Sequence, residues 1–234
     1  RWPRRFGLAS LHCLTDFTAG ILLHDLTTIF GANGQLVNYI QGFQPRLGQL
    51  SMAQAIEQAI EKGTHLVAEA GTGTGKTFAY LIPAILSNKK TIVSTGTRNL
   101  QDQIYEKDFP LIRDALKVPV QAAVLKGRSN YLCLYRLEQA QIQTAGFDRA
   151  LQTELEHIQS WSKRTHEGDI VEVSTVAEDS PVWSQVTSTA DNCLGQECPM
   201  VAECYPLNAR KRAQEVDILI VNHHLLCADW SLKD

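Results

Sequence analysis

Two sets of residues in this 234-residue chain have types and spacing that could do chemistry. The first is Ala70-Gly-Thr-Gly-Thr-Gly-Lys76-Thr77, directly after the short apolar run His65-Leu-Val-Ala68. Gly71, Gly73 and Gly75, with Thr72 and Thr74 between them, let the backbone take turns that other residues resist and bring its N–H groups against phosphate oxygens. Lys76 offers a positive charge to the β- and γ-phosphates, and Thr77 a hydroxyl to Mg²⁺. The stretch fits the phosphate-binding loop, with Ala70 where the stricter form has Gly. We expect a strand over 65–68 and a helix over 77–86 whose N-terminus faces the phosphates. A Gly/Thr-rich surface turn is the plainer alternative, but it leaves the Lys-Thr register without a reason.

The second set is Cys193-x4-Cys198-x5-Cys204, with Cys133 about sixty residues earlier; Cys13 and Cys227 stand apart. Asp191, Asn192, Gly195, Gln196 and Glu197 surround the cluster with polarity, which argues against cysteines used as small hydrophobes. Four thiolates could hold Zn²⁺ or an iron–sulfur cluster. The spacing does not choose between them.

The rest of the chain must position these groups. Hydrophobic content of 44% and charged content of 20% are ordinary for a globular protein with a sizeable core. No apolar run is long enough to span a bilayer, so no membrane partner is expected. Six cysteines are too few for a disulfide scaffold. Nucleotide chemistry also points to the reducing cytoplasm. Residues 1–29, with Arg1, Arg4 and Arg5 before the mildly apolar Phe6–Leu14, read as an extension; His12, Asp16, His24 and Asp25 interrupt any signal-like core. Arg1 opens the chain and the only methionines are Met52 and Met200, so we expect a fragment or a numbering that starts away from the natural start.

From Gly34 onward the pattern settles. Met52, Ala55, Ile56, Ala59 and Ile60 predict one apolar helix face, with Gly63 as its stop. Pro83 should kink or bend the helix after the loop. Strands are expected at Thr91–Thr95, Ala122–Leu125 and Asp217–Val221, the first followed by a helix from about Asn99. Strands alternating with helices predict an α/β fold with a parallel sheet flanked by helices. Residues 148–164 read as helix. Residues 165–204 lack periodicity and fit a small inserted domain held by something other than apolar packing.

At this point the chain resembles the DinG/XPD family of superfamily 2 iron–sulfur DNA helicases, and within it the bacterial YoaA-type members, over about residues 30–234. The resemblance rests on Arg46-x-x-Gln49, Glu69–Thr77, Ser94-Thr-Gly-Thr97 with Leu100-Gln-Asp-Gln103, Leu125–Cys133, Asp191–Met200 and Val221-Asn-His-His-Leu-Leu226. It implies a RecA-like P-loop motor domain over 30–128, continued at 205–234, around an inserted iron–sulfur domain at 129–204. It implies that Arg46 and Gln49 contact adenine, and that ATP and Mg²⁺ lie on 70–77 with Lys76 and Thr77 in catalytic roles. It makes Cys133, Cys193, Cys198 and Cys204 the ligands of a [4Fe-4S] cluster, with zinc the alternative that spacing leaves open. Finally, it implies ATP-driven 5′-to-3′ movement on single-stranded or forked DNA, in repair or replication, with proteins of those processes as further partners.

No Asp-Glu-x-His sequence is present, and in the family that acidic motif lies beyond Asn-His-His. The expectation is therefore an N-terminal part that alone hydrolyses ATP poorly or not at all. DNA contact is expected at Thr95, Gly96, Thr97 and Arg98, through N–H and hydroxyl groups; a polar turn capping the next helix is the competing reading. Residues 138–204 carry 12 acidic and three basic side chains, leaving the remainder net positive, so phosphate contact should lie elsewhere, through Lys126, Arg128, Arg136 and Arg210-Lys-Arg212. Tyr131 and Trp183 could stack on bases, though the core is the better expectation. The competing functions are a P-loop ATPase with a zinc insertion, and a non-catalytic metal-containing module that binds DNA or a partner.

Overall fold

The computed structural model describes residues 25–143 and 148–231. The expectations for Arg1–His24, including Cys13, lie outside these residues. In chain order the helices begin with α1 (Leu26–Phe30), α2 (Gln35–Tyr39), α3 (Leu47–Lys62) and α4 (Lys76–Leu86). Strand β1 (Thr91–Thr95) follows, then α5 (Arg98–Gln103), a π-helical turn (Ile104–Asp108), α6 (Phe109–Leu116) and β2 (Ala122–Leu125). After these come α7 (Leu134–Ile142), α8 (Arg149–Ser162), α9 (Val182–Val186), α10 (Tyr205–Glu215), β3 (Ile218–Asn222) and α11 (His223–Ser231).

The described residues divide into two compact units, one of residues 25–124 with 216–231 and the other of residues 125–143 with 148–215. In the first, the sheet runs β1-β3-β2, so the last strand in sequence takes the centre. β1 and β3 pair in parallel from Thr91 opposite Ile218 to Thr95 opposite Asn222. Ile218, Leu219, Ile220 and Val221 are all buried, the unbroken apolar run expected of a parallel strand covered on both faces. Ile82, Ile112, Ile220 and Leu81 form the centre of the core. Pro83 lies inside α4, which continues through it to Leu86.

Two details differ from expectation. Residues 64–71 form no strand, and Val67 is 98% exposed. A strand exists only as a member of a ladder, and among the described residues β1, β2 and β3 pair without this stretch. On α3, Gln49 and Ala53 are the buried positions, while Met52, Ala55, Ile56, Ala59 and Ile60 are only half-buried. Met52 still packs against the core, and the buried Gln49 bonds to the phosphate-binding loop, as described below. Gly63 ends α3 in the left-handed conformation, φ 63°, the stop its position predicted.

The second unit has its own core of Leu132, Ile158, Val182 and Val186, with Trp161 and Trp183. Each indole N–H finds a partner: Trp161 donates to Glu172 at 3.0 Å and Trp183 to the Ala177 carbonyl at 2.8 Å. Tyr131 and Trp183 are therefore core residues, at 4% and 6% exposure. Between α8 and α10 the chain has short 3₁₀ turns, the helix α9 and two isolated antiparallel bridges, Tyr131 with Asp169 and Leu132 with Thr187.

Candidate functional site

The loop at 70–77 is held by its own backbone. Gly73 and Gly75 take φ of 70° and 80°, the left-handed region that side chains resist. At Gly75 a Cβ would also stand 2.2 Å from Gln49 Nε2. Lys76 Nζ donates to the carbonyls of Ala70 at 2.8 Å and Gly71 at 2.6 Å, and the Thr74 hydroxyl donates to Gly71 at 2.9 Å. Thr72 lies exposed at the tip. Lys76 and Thr77 open α4, whose unpaired N–H groups and dipole face the loop.

Arg46 and Gln49 reach this loop from the start of α3. The Arg46 guanidinium donates to the Gly73 carbonyl, and Gln49 Nε2 donates to the Gly75 carbonyl at 2.9 Å. Gln49 is 5% exposed, and its Oε1 is buried with no hydrogen-bond partner. On the π-helical turn, the Asp108 carboxylate accepts from Gln103 Nε2 at 3.4 Å. Burial pushes the Asp108 carboxyl above the usual carboxylate range, opposed by its bond to Gln103 and by Lys107. Burial likewise raises the Tyr80 phenol.

At the carboxyl end of β1, Thr95 is turned inward, and its hydroxyl donates to the Thr97 carbonyl at 3.0 Å. Thr97 accepts from the Leu100 N–H at 3.3 Å and so caps α5. Gly96, Thr97 and Arg98 remain exposed. Ser94 Oγ lies 2.7 Å from His223 Nδ1, joining the ends of β1 and β3.

The four expected cysteines line one cavity of about 130 Å³ in the second unit, with Arg128, Leu194, Met200 and Arg210 on its wall. Cys133 precedes α7 and its N–H donates to Val186 at 2.8 Å. Cys198 closes one 3₁₀ turn and Cys204 another, the latter accepting from Asn208 in the first turn of α10. All four are free thiols, as is the exposed Cys227. Burial raises the Cys133 thiol, and Cys198, Cys204 and Cys193 raise it further. Among the described residues no three His, Cys, Asp or Glu side chains converge closely enough to hold a single metal ion.

The basic residues separate. Lys126 does not face solvent as expected: its side chain is 4% exposed and pairs with Asp169 at 2.6 Å. It follows β2 directly into the second core, where only a paired charge is tolerated. Arg136 donates to the Ser184 carbonyl and Arg212 pairs with Glu167, whereas Arg210 and Lys211 are exposed. Sequence reasoning missed the Ser94–His223 pair, because nothing local announces a pairing across 129 positions.

The sequence matches the DEAD/DEAH box helicase family over residues 51–172. It is 52% identical over 211 residues to the ATP-dependent DNA helicase YoaA of Escherichia coli, covering 89% of this chain and 33% of that protein. Its identity to the YoaA of Haemophilus influenzae is 49%, over 90% of this chain and 33% of the relative. To the ATP-dependent helicase DinG of Mycobacterium tuberculosis it is 37%, over 79% and 31%. The chain thus spans about a third of the length of these relatives.

Proposed function

This chain belongs to the DEAD/DEAH box helicase family, and from that premise we propose that it is the nucleotide-binding part of an ATP-dependent DNA helicase. In this reading it couples ATP hydrolysis to 5′-to-3′ movement on single-stranded or forked DNA, in repair or replication and alongside proteins of those processes. The observation that carries it is the loop at 70–77 with Gln49 against it. A buried carbonyl oxygen without a donor costs about 1–3 kcal/mol, and the exocyclic amine of adenine would supply that donor to Gln49 Oε1. Arg46 stands beside it on the same loop.

Phosphoryl transfer asks the protein mostly for positioning and charge. Lys76 exchanges the carbonyls of Ala70 and Gly71 for β- and γ-phosphate oxygens, while the backbone N–H groups of 71–77 cradle the rest. Thr77 would hold Mg²⁺, which supplies further charge neutralisation there. DNA phosphates meet the exposed edge Gly96-Thr97-Arg98, with the Thr95 hydroxyl kept for the turn itself.

The two units correspond in this reading to a RecA-like motor domain and an inserted iron–sulfur domain. Cys133, Cys193, Cys198 and Cys204 would hold a [4Fe-4S] cluster, which would tie four chain segments together and supply a redox-capable centre. Four thiols lining one cavity are the donor set such a cluster takes. Free thiols suit a reducing cytoplasm, and no described helix is long and apolar enough to cross a membrane.

The test has two arms. Lys76→Ala should weaken ATP binding by roughly tenfold or more, the loss of one charge-assisted contact to phosphate. Protein purified without air should carry about four irons and matching sulfide per chain. Unchanged nucleotide affinity would overturn the nucleotide site, and one zinc per chain would overturn the cluster.

A further inference from the structure

We propose that Arg128 and Arg210 are the charge partners of the centre held by the four cysteines: their guanidiniums offset the negative charge that four metal-bound thiolates bring into the cavity. The inference rests on the cysteine reading above and adds two residues to it. It holds for an iron–sulfur cluster and for zinc alike.

The charged residues on the cavity wall run against the composition around it. Residues 138–204 carry 12 acidic and three basic side chains, so a wall drawn largely from this stretch should be rich in carboxylates. No Asp or Glu lines the cavity; its charged residues are Arg128 and Arg210, beside Cys133, Cys193, Cys198 and Cys204. Glu197 and Glu203 stand immediately before Cys198 and Cys204, yet both are exposed and absent from the wall. Neutral thiols have no need of a cation. Metal ligation takes the cysteines as thiolates, and four of them around Zn²⁺ or a dicationic iron–sulfur core leave a net dianion. Negative charge in a half-buried cavity loses hydration, and a counter-charge nearby offsets that cost.

Both arginines belong to elements that adjoin the cysteines. Arg128 opens the 3₁₀ turn Arg128–Asn130, which the Tyr131 N–H closes on the Arg128 carbonyl at 3.1 Å, shortly before Cys133. Arg210 lies on α10, which begins directly after Cys204. It follows Pro206 by four positions and Leu207 by three, and both of those also line the cavity. Side chains three and four apart share a helix face and lean toward the helix N-terminus, here toward Cys204. Arg136 bonds to the Ser184 carbonyl and Arg212 pairs with Glu167. Among the described residues neither Arg128 nor Arg210 has an ion pair or a side-chain hydrogen bond. Partners of this kind tune a metal centre without touching the metal.

The test follows metal retention in the full chain, purified without air, for Arg128→Gln, Arg210→Gln, the double variant, Arg128→Lys and, as a control on exposed charge, Lys163→Gln. Resistance to a competing chelator should fall roughly 10- to 100-fold in Arg128→Gln. The fall should be smaller in Arg210→Gln, at an exposed position where water and salt screen the charge. Arg128→Lys keeps the charge and should restore most of the loss, which a packing role would not; Lys163→Gln should change nothing. In iron-loaded protein, Arg128→Gln should also lower the midpoint of one-electron reduction by dithionite, because net charge sets such potentials. Unchanged retention in the double variant overturns the inference and leaves the metal reading standing; weaker binding of single-stranded DNA in that variant would then return both arginines to phosphate contact. Zinc in place of iron overturns the cluster, and the same ranking of variants against chelator still supports the inference. No metal in the unaltered protein overturns both. Should Arg128→Gln fail to fold, Arg210→Gln decides alone.

Discussion

At the phosphate-binding loop the backbone supplies the geometry and the surrounding side chains satisfy it. Lys76, Arg46 and Gln49 all donate to loop carbonyls, and two glycines hold the left-handed turns. The cysteine cavity is built the other way. Its four thiols come from separated stretches of chain, and burial, followed by the neighbouring cysteines, holds the Cys133 thiol above its ordinary value. The first site is organised in advance of its ligand. The second, on the proposed reading, gathers thiols that a bound cluster would hold together. Ligand removal should therefore spare one and undo the other.

The largest expected effect breaks that comparison open. If the four thiols hold the proposed cluster, Cys198→Ser or iron removal should release residues 125–215 from order, since structural metal sites contribute on the order of 10 kcal/mol to the folds they hold. Limited proteolysis should then cut rapidly within that unit while ATP affinity stays as in the unaltered protein. Equal protease resistance with and without iron would mean that the second core, with Ile158 and Val182 at its centre, suffices alone.

What was legible in the sequence was local. The stop at Gly63 and the helix read over 148–164 each follow from neighbours within a few residues: Gly63 ends α3, and α8 runs from Arg149 to Ser162. The four cysteines were singled out by type and spacing, and the fold brings them to one cavity. What failed depended on distant partners. Residues 65–68 have the composition of a strand, but pairing is decided by what lies alongside, and no described strand does. Lys126 reads as a free cation until Asp169, forty-three positions away, is placed against it. The buried face of α3 takes in Gln49, a polar residue that periodicity counts as solvent-facing and that bonds to Gly75.

That last contact supports a smaller prediction about the preorganised site. Gly75→Ala meets two obstacles, a φ of 80° and a Cβ 2.2 Å from Gln49 Nε2. Together they should destabilise the protein by about 1–3 kcal/mol in chemical denaturation. Adding Gln49→Ala removes the collision and leaves the backbone strain, so the double variant should recover part of the loss, a non-additive pair. Strict additivity would mean that strain alone sets the requirement for glycine, and that Gln49 is free to serve the base.

The smallest effect belongs to the second unit. The Tyr131 hydroxyl accepts the buried Lys126 N–H at 3.1 Å, and burial holds its phenol above the ordinary value. Tyr131→Phe keeps the ring in the core and leaves that N–H without a partner, which should cost about 1 kcal/mol. Denaturation followed at the second unit should register the loss in iron-loaded protein. In iron-depleted protein, where the proposed cluster reading has that unit lose its order, the same substitution should change nothing. A loss of equal size in both states would mean that the hydrogen bonds and apolar packing around Tyr131 hold without the thiols' ligand, and that the two sites are built more alike than the cysteine cavity suggests.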